Sequence, residues 1–200
     1  MLRSIVRDLF DLILPPRNTE RVVRSLTLQE LQSLGGEEPL PYHDPRVTAL
    51  VWEVKYYGTA GATALAGAYL SDLLLSIAGE ELGTPLLLPV PMHKARRRER
   101  GHNQTELLCK SALAHIEGVC EYAPRALVRT RATTPQQGLP KQVRLRNVDG
   151  SMTADASAVE GRVCIVLDDV TTTGATLAEA KRALRSAGAR AVHLVALARS

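Results

Sequence analysis

Aromatic side chains are scarce: they make up 4% of the 200 residues, as one Trp, one Phe and five Tyr. Stacking platforms of the OB or RRM kind need several aromatics on one sheet face and are not expected. Cysteine is scarcer still. Cys109, Cys120 and Cys164 form no C-x-x-C pair and no finger spacing, so no zinc is expected, and a sparse, odd count suits a reducing, cytoplasmic setting. No run of residues is expected to approach a membrane span. The apolar stripe Leu2, Ile5, Val6, Leu9, Phe10 and Ile13 carries Arg7, Asp8 and Asp11 on its other face, which interrupts any signal-peptide core. The charges nearly balance, 25 basic against 21 acidic for a net +4. That total suits a polyanionic ligand but is too small to imply DNA binding by itself. The chain also lacks a Walker ending of Gly-Lys-Thr or Gly-Lys-Ser, a G-x-G-x-x-G fingerprint, and a Ser/His/Asp or Cys/His arrangement for nucleophilic catalysis.

What is present is concentrated in residues 163–176. Val163 to Leu167 has the length and branching of a buried parallel strand, and Asp168 and Asp169 sit where that strand should end. Thr171, Thr172, Thr173, Gly174, Ala175 and Thr176 follow, all small and mostly hydroxylated. Leu177, Ala180, Leu184 and Ala187 then mark the apolar stripe of a helix that Gly188 stops, and Ala191 to Ala198 gives the second strand of a βαβ unit. Small residues at a helix N-terminus let backbone N–H groups close on an anion, while the carboxylates suit sugar hydroxyls or hydrated Mg²⁺. The plainer alternative is a tight βα turn with capping threonines and two solvated aspartates.

Two further stretches bear on function. Pro85 to Val90 is a second strand, and after it Lys94, Arg96, Arg97, Arg98 and Arg100 put five cations on what reads as a loop. If the two strands are neighbours, that loop faces the crevice of Asp168 and Asp169, and diphosphate is a natural guest for guanidinium forks; a solvated loop of no measurable effect is the alternative. Arg125 to Asn147 is polar and unpatterned, either a lid or a plain connection. Elsewhere, Thr19 to Leu34 reads as one helix with a capping box at Thr27 and Glu30, Asp44-Pro45 starts another, and Asn103 with Glu106 frames a third that runs to about Ile116. Lys55 reads as a solvated helix-end lysine, with phosphate contact the alternative.

Four segments together resemble the ComF family, competence-associated, type I phosphoribosyltransferase-like proteins of bacteria. They are Lys55-Tyr-Tyr-Gly58; Pro89-Val-Pro-Met-His93 with Arg98-Glu-Arg-Gly-His-Asn-Gln104; the spaced Leu127, Arg129, Thr133, Gln136, Leu139, Arg144, Asn147 and Val148; and Ile165 to Thr176. The resemblance covers roughly residues 42–200. It implies an α/β fold with a mainly parallel central sheet flanked by helices, spanning residues 41–200, and a small helical appendage at 1–40. It further implies that Asp168 and Asp169 hold the ribose hydroxyls of PRPP and that Thr171 to Thr176 cradle the 5′-phosphate. Pro91, Met92, His93 and Lys94 become the pyrophosphate loop, and Thr133, Gln136, Arg144 and Asn147 belong to the hood. Mg²⁺ is held through ligand oxygens and water, with Asp168 and Asp169 available, rather than by protein alone. The activity implied is phosphoribosyl transfer from PRPP to an unidentified nitrogen acceptor, a nucleobase or amine. The alternatives are a PRPP- or nucleotide-binding regulator, and a DNA-uptake accessory that partners competence proteins and binds single-stranded DNA through Arg96 to Arg100. Two departures from the family pattern stand out. Leu14-Pro-Pro-Arg17 is followed by none of the zinc-ribbon cysteines, and His102 replaces an aromatic.

Overall fold

A computed structural model describes residues 17–36, 38–131 and 148–200. Five strands form one all-parallel sheet in the order β1 (Leu40–Pro41), β7 (Ala191–Arg199), β6 (Val163–Thr171), β2 (Leu86–Pro89) and β3 (Glu121–Tyr122). The run Val163 to Leu167 at its centre is apolar and buried because both faces of the sheet are covered there. Ile165 and Leu167 enter one core with Leu87, Val195 and Leu197, whereas Cys164 and Val166 enter the other with Leu86, Leu88 and Val192. The fold is thus α/β with a parallel central sheet flanked by helices, as expected.

The first core is closed by α3 (Pro45–Trp52), α4 (Ala60–Gly79) and α6 (Gln104–Leu113), and it also takes Val23 and Leu31 from two helices nearer the amino end, with Leu26 from the link after the first. These are α1 (Asn18–Ser25) and α2 (Leu28–Gly35), where one helix was expected over Thr19 to Leu34. The break follows from the capping box. Thr27 is extended, its hydroxyl accepts from the Glu30 N–H, and the Glu30 carboxylate accepts from the Thr27 N–H, which starts one helix and so ends the previous one. The stripe at 2–14 lies outside the described residues. The second core is closed by α8 (Ala175–Ser186) and by the antiparallel pair β4 (Leu127–Arg129) and β5 (Met152–Ala154), with the short α7 (Ala156–Val159) following.

Helix α4 corrects one expectation. Its 20 residues contain an 18-residue window of mean hydropathy 1.4, long and apolar enough to cross a membrane by length and composition. Here Ala62, Ala66, Tyr69, Leu70 and Leu74 are buried in the first core, and Gly67 lets α6 approach until Ser111 lies against it. Part of its apolarity is thus used in the core, while Leu75 stays exposed. Between α3 and α4 the chain makes a π-helical turn, Glu53–Tyr57, and Gly58 ends it in the left-handed region at φ 59°.

Candidate functional site

Strand β6 does not stop at Leu167. It keeps its pairing with β7 as far as Thr171 and Arg199, whereas its pairing with β2 ends at Pro89 and Leu167. Asp168 and Asp169 therefore lie inside β6, just past the point where β2 leaves. There the carboxylates themselves serve the backbone: the Asp169 N–H donates to Asp168 Oδ1 at 2.9 Å, and the Val170 N–H to Asp169 Oδ1 at 2.8 Å. The chain leaving β2 returns to β3 on one side, and that leaving β6 returns to β7 on the other. The carboxylates thus sit at a topological switch point, where open α/β sheets form their ligand crevice.

Both side chains are deeply set; Asp168 is 7% exposed and Asp169 5%. Burial, and after it the like charge of Asp169, holds the Asp168 carboxyl well above the ordinary carboxylate range. Two residues from distant elements brace Asp169. Gln104 Nε2 donates to its Oδ2 at 3.1 Å, and Lys55 Nζ lies 3.4 Å from the same oxygen. Lys55 is therefore not the solvated lysine expected from the sequence. Arg129, on β4, donates from Nε to the Pro91 carbonyl at 3.0 Å; burial lowers its pKa, an effect the nearby Asp168 opposes.

The expected pyrophosphate segment leaves β2 at the same end. The Val90 N–H donates to the Leu167 carbonyl at 2.9 Å, and the Val90 carbonyl accepts from Thr105 Oγ1 at 2.8 Å and Asn103 Nδ2 at 3.3 Å. Those bonds hold the N-terminus of α6, and so Gln104, against the exit of β2. Pro91, Met92 and His93 are half-buried there. The basic stretch is not a loop. Lys94–Arg100 forms a short helix of 7 residues, α5, capped by His93, whose Nδ1 accepts from the Ala95 N–H, and ended by Gly101 at φ 83°. Lys94, Arg96 and Arg98 are exposed, and Arg97 forms a bidentate pair with Glu106 at 2.6 and 3.0 Å. Arg100 donates to Gln104 Oε1 at 3.2 Å, so one glutamine links the basic helix to Asp169.

Past β6, Thr171 is buried and paired, Thr172 exposed, and Thr173 half-buried with its hydroxyl accepting from the Ala175 N–H at 3.4 Å. Gly174 has φ 75°, and a Cβ built on it meets nothing within 4 Å, so the turn has open space before it. Ala175 is buried and Thr176 half-buried in the first turn of α8, which the Ala178 N–H closes onto the Gly174 carbonyl at 2.8 Å. The N–H groups before Ala178 belong to the part of a helix that has no intrahelical acceptors. Thr133, Gln136, Arg144 and Asn147 lie outside the described residues. The β4–β5 hairpin from which that segment springs is pinned to α8 by Glu179, which accepts from the Met152 N–H at 3.0 Å and pairs with Arg182 at 2.7 Å. Among the described residues, no cluster of three or more His, Cys, Asp or Glu could hold a metal.

The structure thus brings together Asp168, Asp169, the turn at Thr171 to Thr176, and the segment from Pro91 to Arg100. Lys55, Gln104 and Arg129 join them from outside the expected set. Arg129 is visible in the sequence only as part of a family motif and Gln104 only as the last letter of one, whereas Lys55 reads there as solvated, with phosphate contact the alternative.

Comparison with known proteins identifies the family. Residues 70–200 match the family described as the phosphoribosyl transferase domain. The DNA utilization protein YhgH of Escherichia coli K12 is 33% identical over 161 residues, covering 78% of this chain and 68% of that protein. Competence protein F of Haemophilus influenzae is 32% identical over 117 residues, 57% of this chain and 50% of that one. Among solved structures, the glutamine PRPP amidotransferase of B. subtilis is 19% identical at a TM-score of 0.45, with 74% of this chain matching 30% of that one. The chain belongs to the phosphoribosyl transferase domain family, among its ComF-type members.

Proposed function

We propose that the chain binds PRPP with Mg²⁺ and transfers its phosphoribosyl group to a nitrogen acceptor, releasing diphosphate. The observation that carries this reading is the meeting, at one switch point, of a buried acid pair, an open glycine turn and a cationic helix. Asp168 and Asp169 receive the ribose hydroxyls, the turn from Thr171 to Thr176 takes the 5′-phosphate, and Pro91 to Lys94 flank the diphosphate. Carboxylates near the ribose stabilise a sugar that becomes oxocarbenium-like, and cations stabilise the group that leaves. The donor set suits Mg²⁺, which keeps its waters and takes one or two carboxylates plus ligand phosphate oxygens. Asp168 and Asp169 would hold the ion, which supplies charge neutralisation at the diphosphate. Calorimetry with PRPP and Mg²⁺ tests the site: saturable heat is expected, and its absence at millimolar PRPP rejects the reading. Diphosphate release in a screen of nucleobases and amines then separates a catalyst from a PRPP-binding regulator.

A second reading has its own observation. Trp52, Tyr56 and Tyr57 are 43, 44 and 50% exposed, and the Trp52 and Tyr56 rings lie 4.9 Å apart. Arg100 of the basic helix stands 5.2 Å from the Tyr56 ring, and Arg17 stands 3.7 Å from that of Tyr57. Three of the few aromatics thus share a surface with guanidinium groups, which suits stacked bases on a single strand. Relatives named for DNA utilization and competence favour the same ligand. Affinity for an oligothymidylate should fall steeply with salt and with Arg96→Ala plus Arg98→Ala; a flat salt response rejects it.

A further inference from the structure

The turn that carries Lys55 is unusual, and so is the way it is held. Glu53 opens the π-helical turn, and its carbonyl accepts from the N–H groups of Gly58 and Thr59. A π turn inserts one residue into a helix and so re-aims the side chains within it. The Glu53 side chain has no exposure at all. A carboxylate so placed needs partners, and it has four bonds. Arg17 donates from Nε at 3.2 Å and Nη2 at 2.9 Å, Thr19 from Oγ1 at 2.5 Å, and Thr59 Oγ1 donates to the other oxygen. These bonds hold the Glu53 carboxyl in its charged form. Arg17 also stands over the ring of Tyr57, the last residue of the same turn. The clamp therefore joins the segment at Arg17 and Thr19 to both ends of the turn, and the middle residue of that turn is Lys55, 3.4 Å from Asp169.

We propose that Lys55 is a cation of the ligand site, and that Arg17 and Glu53 are positioning residues that fix it there. A flexible four-carbon amine on an unbraced helix end would sample solvent. Held by the clamp, it offsets the charge of the acid pair in the free protein. With ligand bound, it places a positive charge beside the ribose and its phosphates. Residues early in the chain thereby determine how well a site on β6, far away in sequence, is formed. The ligand part of this inference rests on the PRPP reading, whereas the positioning part does not.

The test has two arms. In the first, the folded chain without ligand is labelled with an amine-acylating reagent, and the rate at Lys55 is read by mass spectrometry against Lys110, an exposed lysine on α6. Wild-type Lys55 should be protected. Asp169→Asn, Arg17→Ala and Thr59→Val should each raise its relative rate about fivefold, the last variant approaching the clamp from the other side should Arg17→Ala fold poorly. An unchanged Lys55 rate in both clamp variants overturns the positioning role, even if their melting temperatures fall. In the second arm, calorimetry with PRPP and Mg²⁺ should show about a tenfold loss in Lys55→Met and about a fivefold loss in Arg17→Ala. The double variant should match Lys55→Met alone. A multiplied loss of about fiftyfold means Arg17 acts elsewhere and overturns the proposal. A wild-type chain that gives no heat overturns the PRPP reading, while the labelling arm still decides the clamp.

Discussion

At Gly67 helix α4 lies close against Ser111 of α6, and replacing the glycine with alanine sets two opposing effects against each other. Alanine favours a helix interior over glycine by about 0.8–1.0 kcal/mol. The new Cβ would lie 2.2 Å from Ser111 Oγ, 2.6 Å from Ser111 Cβ and 2.8 Å from its carbonyl carbon. Rotating the hydroxyl, which now donates to the Thr63 carbonyl at 2.9 Å, relieves only the first of these contacts. The others require α6 to move. Overpacking of this kind costs about 1–3 kcal/mol, and contact with backbone puts it in the upper part of that range. The net loss is then about 1–2 kcal/mol, or a fall in Tm of about 2–8 °C for a protein of this size. Gly61→Ala in the same helix meets nothing within 4 Å and should gain up to about 1 kcal/mol. Ser111→Ala should not rescue Gly67→Ala, because the Cβ and the carbonyl carbon remain. Thermal unfolding of the four proteins decides the matter. A Gly67→Ala chain that melts with or above Gly61→Ala would refute the packing argument. Because α6 begins at Gln104, the same shift should also loosen its bond to Asp169.

Further outcomes follow from the site. Asp168→Asn with Asp169→Asn should abolish PRPP binding in calorimetry while the circular dichroism spectrum is kept; a double variant binding as tightly as wild type places the ribose contact elsewhere. Gly174→Val puts a branched side chain at φ 75°, costing upwards of about 1–2 kcal/mol, and projects it into the open space before the turn, so PRPP affinity should drop; undiminished affinity rules out the cradle. The Glu53 carboxyl is held below its ordinary pKa by its donors, despite its burial. Its stabilising contribution is therefore full above the unfolded value near 4.5 and is lost as pH falls through the folded one. Urea melts from pH 7 downward should show a shallower acid loss in Glu53→Gln, and identical slopes would reject the assignment.

What could be read from the sequence was local. The capping box at Thr27, the caps at Asp44 and Asn103, and the strand–acid–threonine–glycine order from Val163 to Thr176 depend on residues within a few positions of one another, and the structure keeps each of them. Helix α5 was not legible because Lys94 to Arg100 has no apolar stripe and its like charges argue for a loop; its cap, its terminal glycine and the Arg97–Glu106 pair hold it instead. β4 and β5 are three residues each, too short for an alternation to register. Strand β6 overran its expected end because the aspartates bond to its own amides where a neighbouring strand would otherwise be needed. Lys55 and Gln104 reach Asp169 from distant parts of the chain, and no spacing rule encodes such a meeting.

The acid pair shows why those distant partners exist. Two adjacent buried carboxylates repel each other and lose hydration, and the raised pKa of Asp168 records that the folded protein disfavours its ionised form. A fold selected for stability alone would place asparagine there, and Asp168→Asn is accordingly expected to raise the melting temperature at neutral pH. The cost is lessened, not removed, by Lys55 and Gln104 on Asp169 and by Arg129 beside Asp168. On the proposed reading, a cationic or hydroxyl-bearing ligand group that enters the crevice would relieve what remains, and the cost borne by the free protein would become affinity on binding. Stability and binding therefore pull this pair in opposite directions, and a neutral substitution that failed to separate them would show that the two carboxylates serve the fold rather than a ligand.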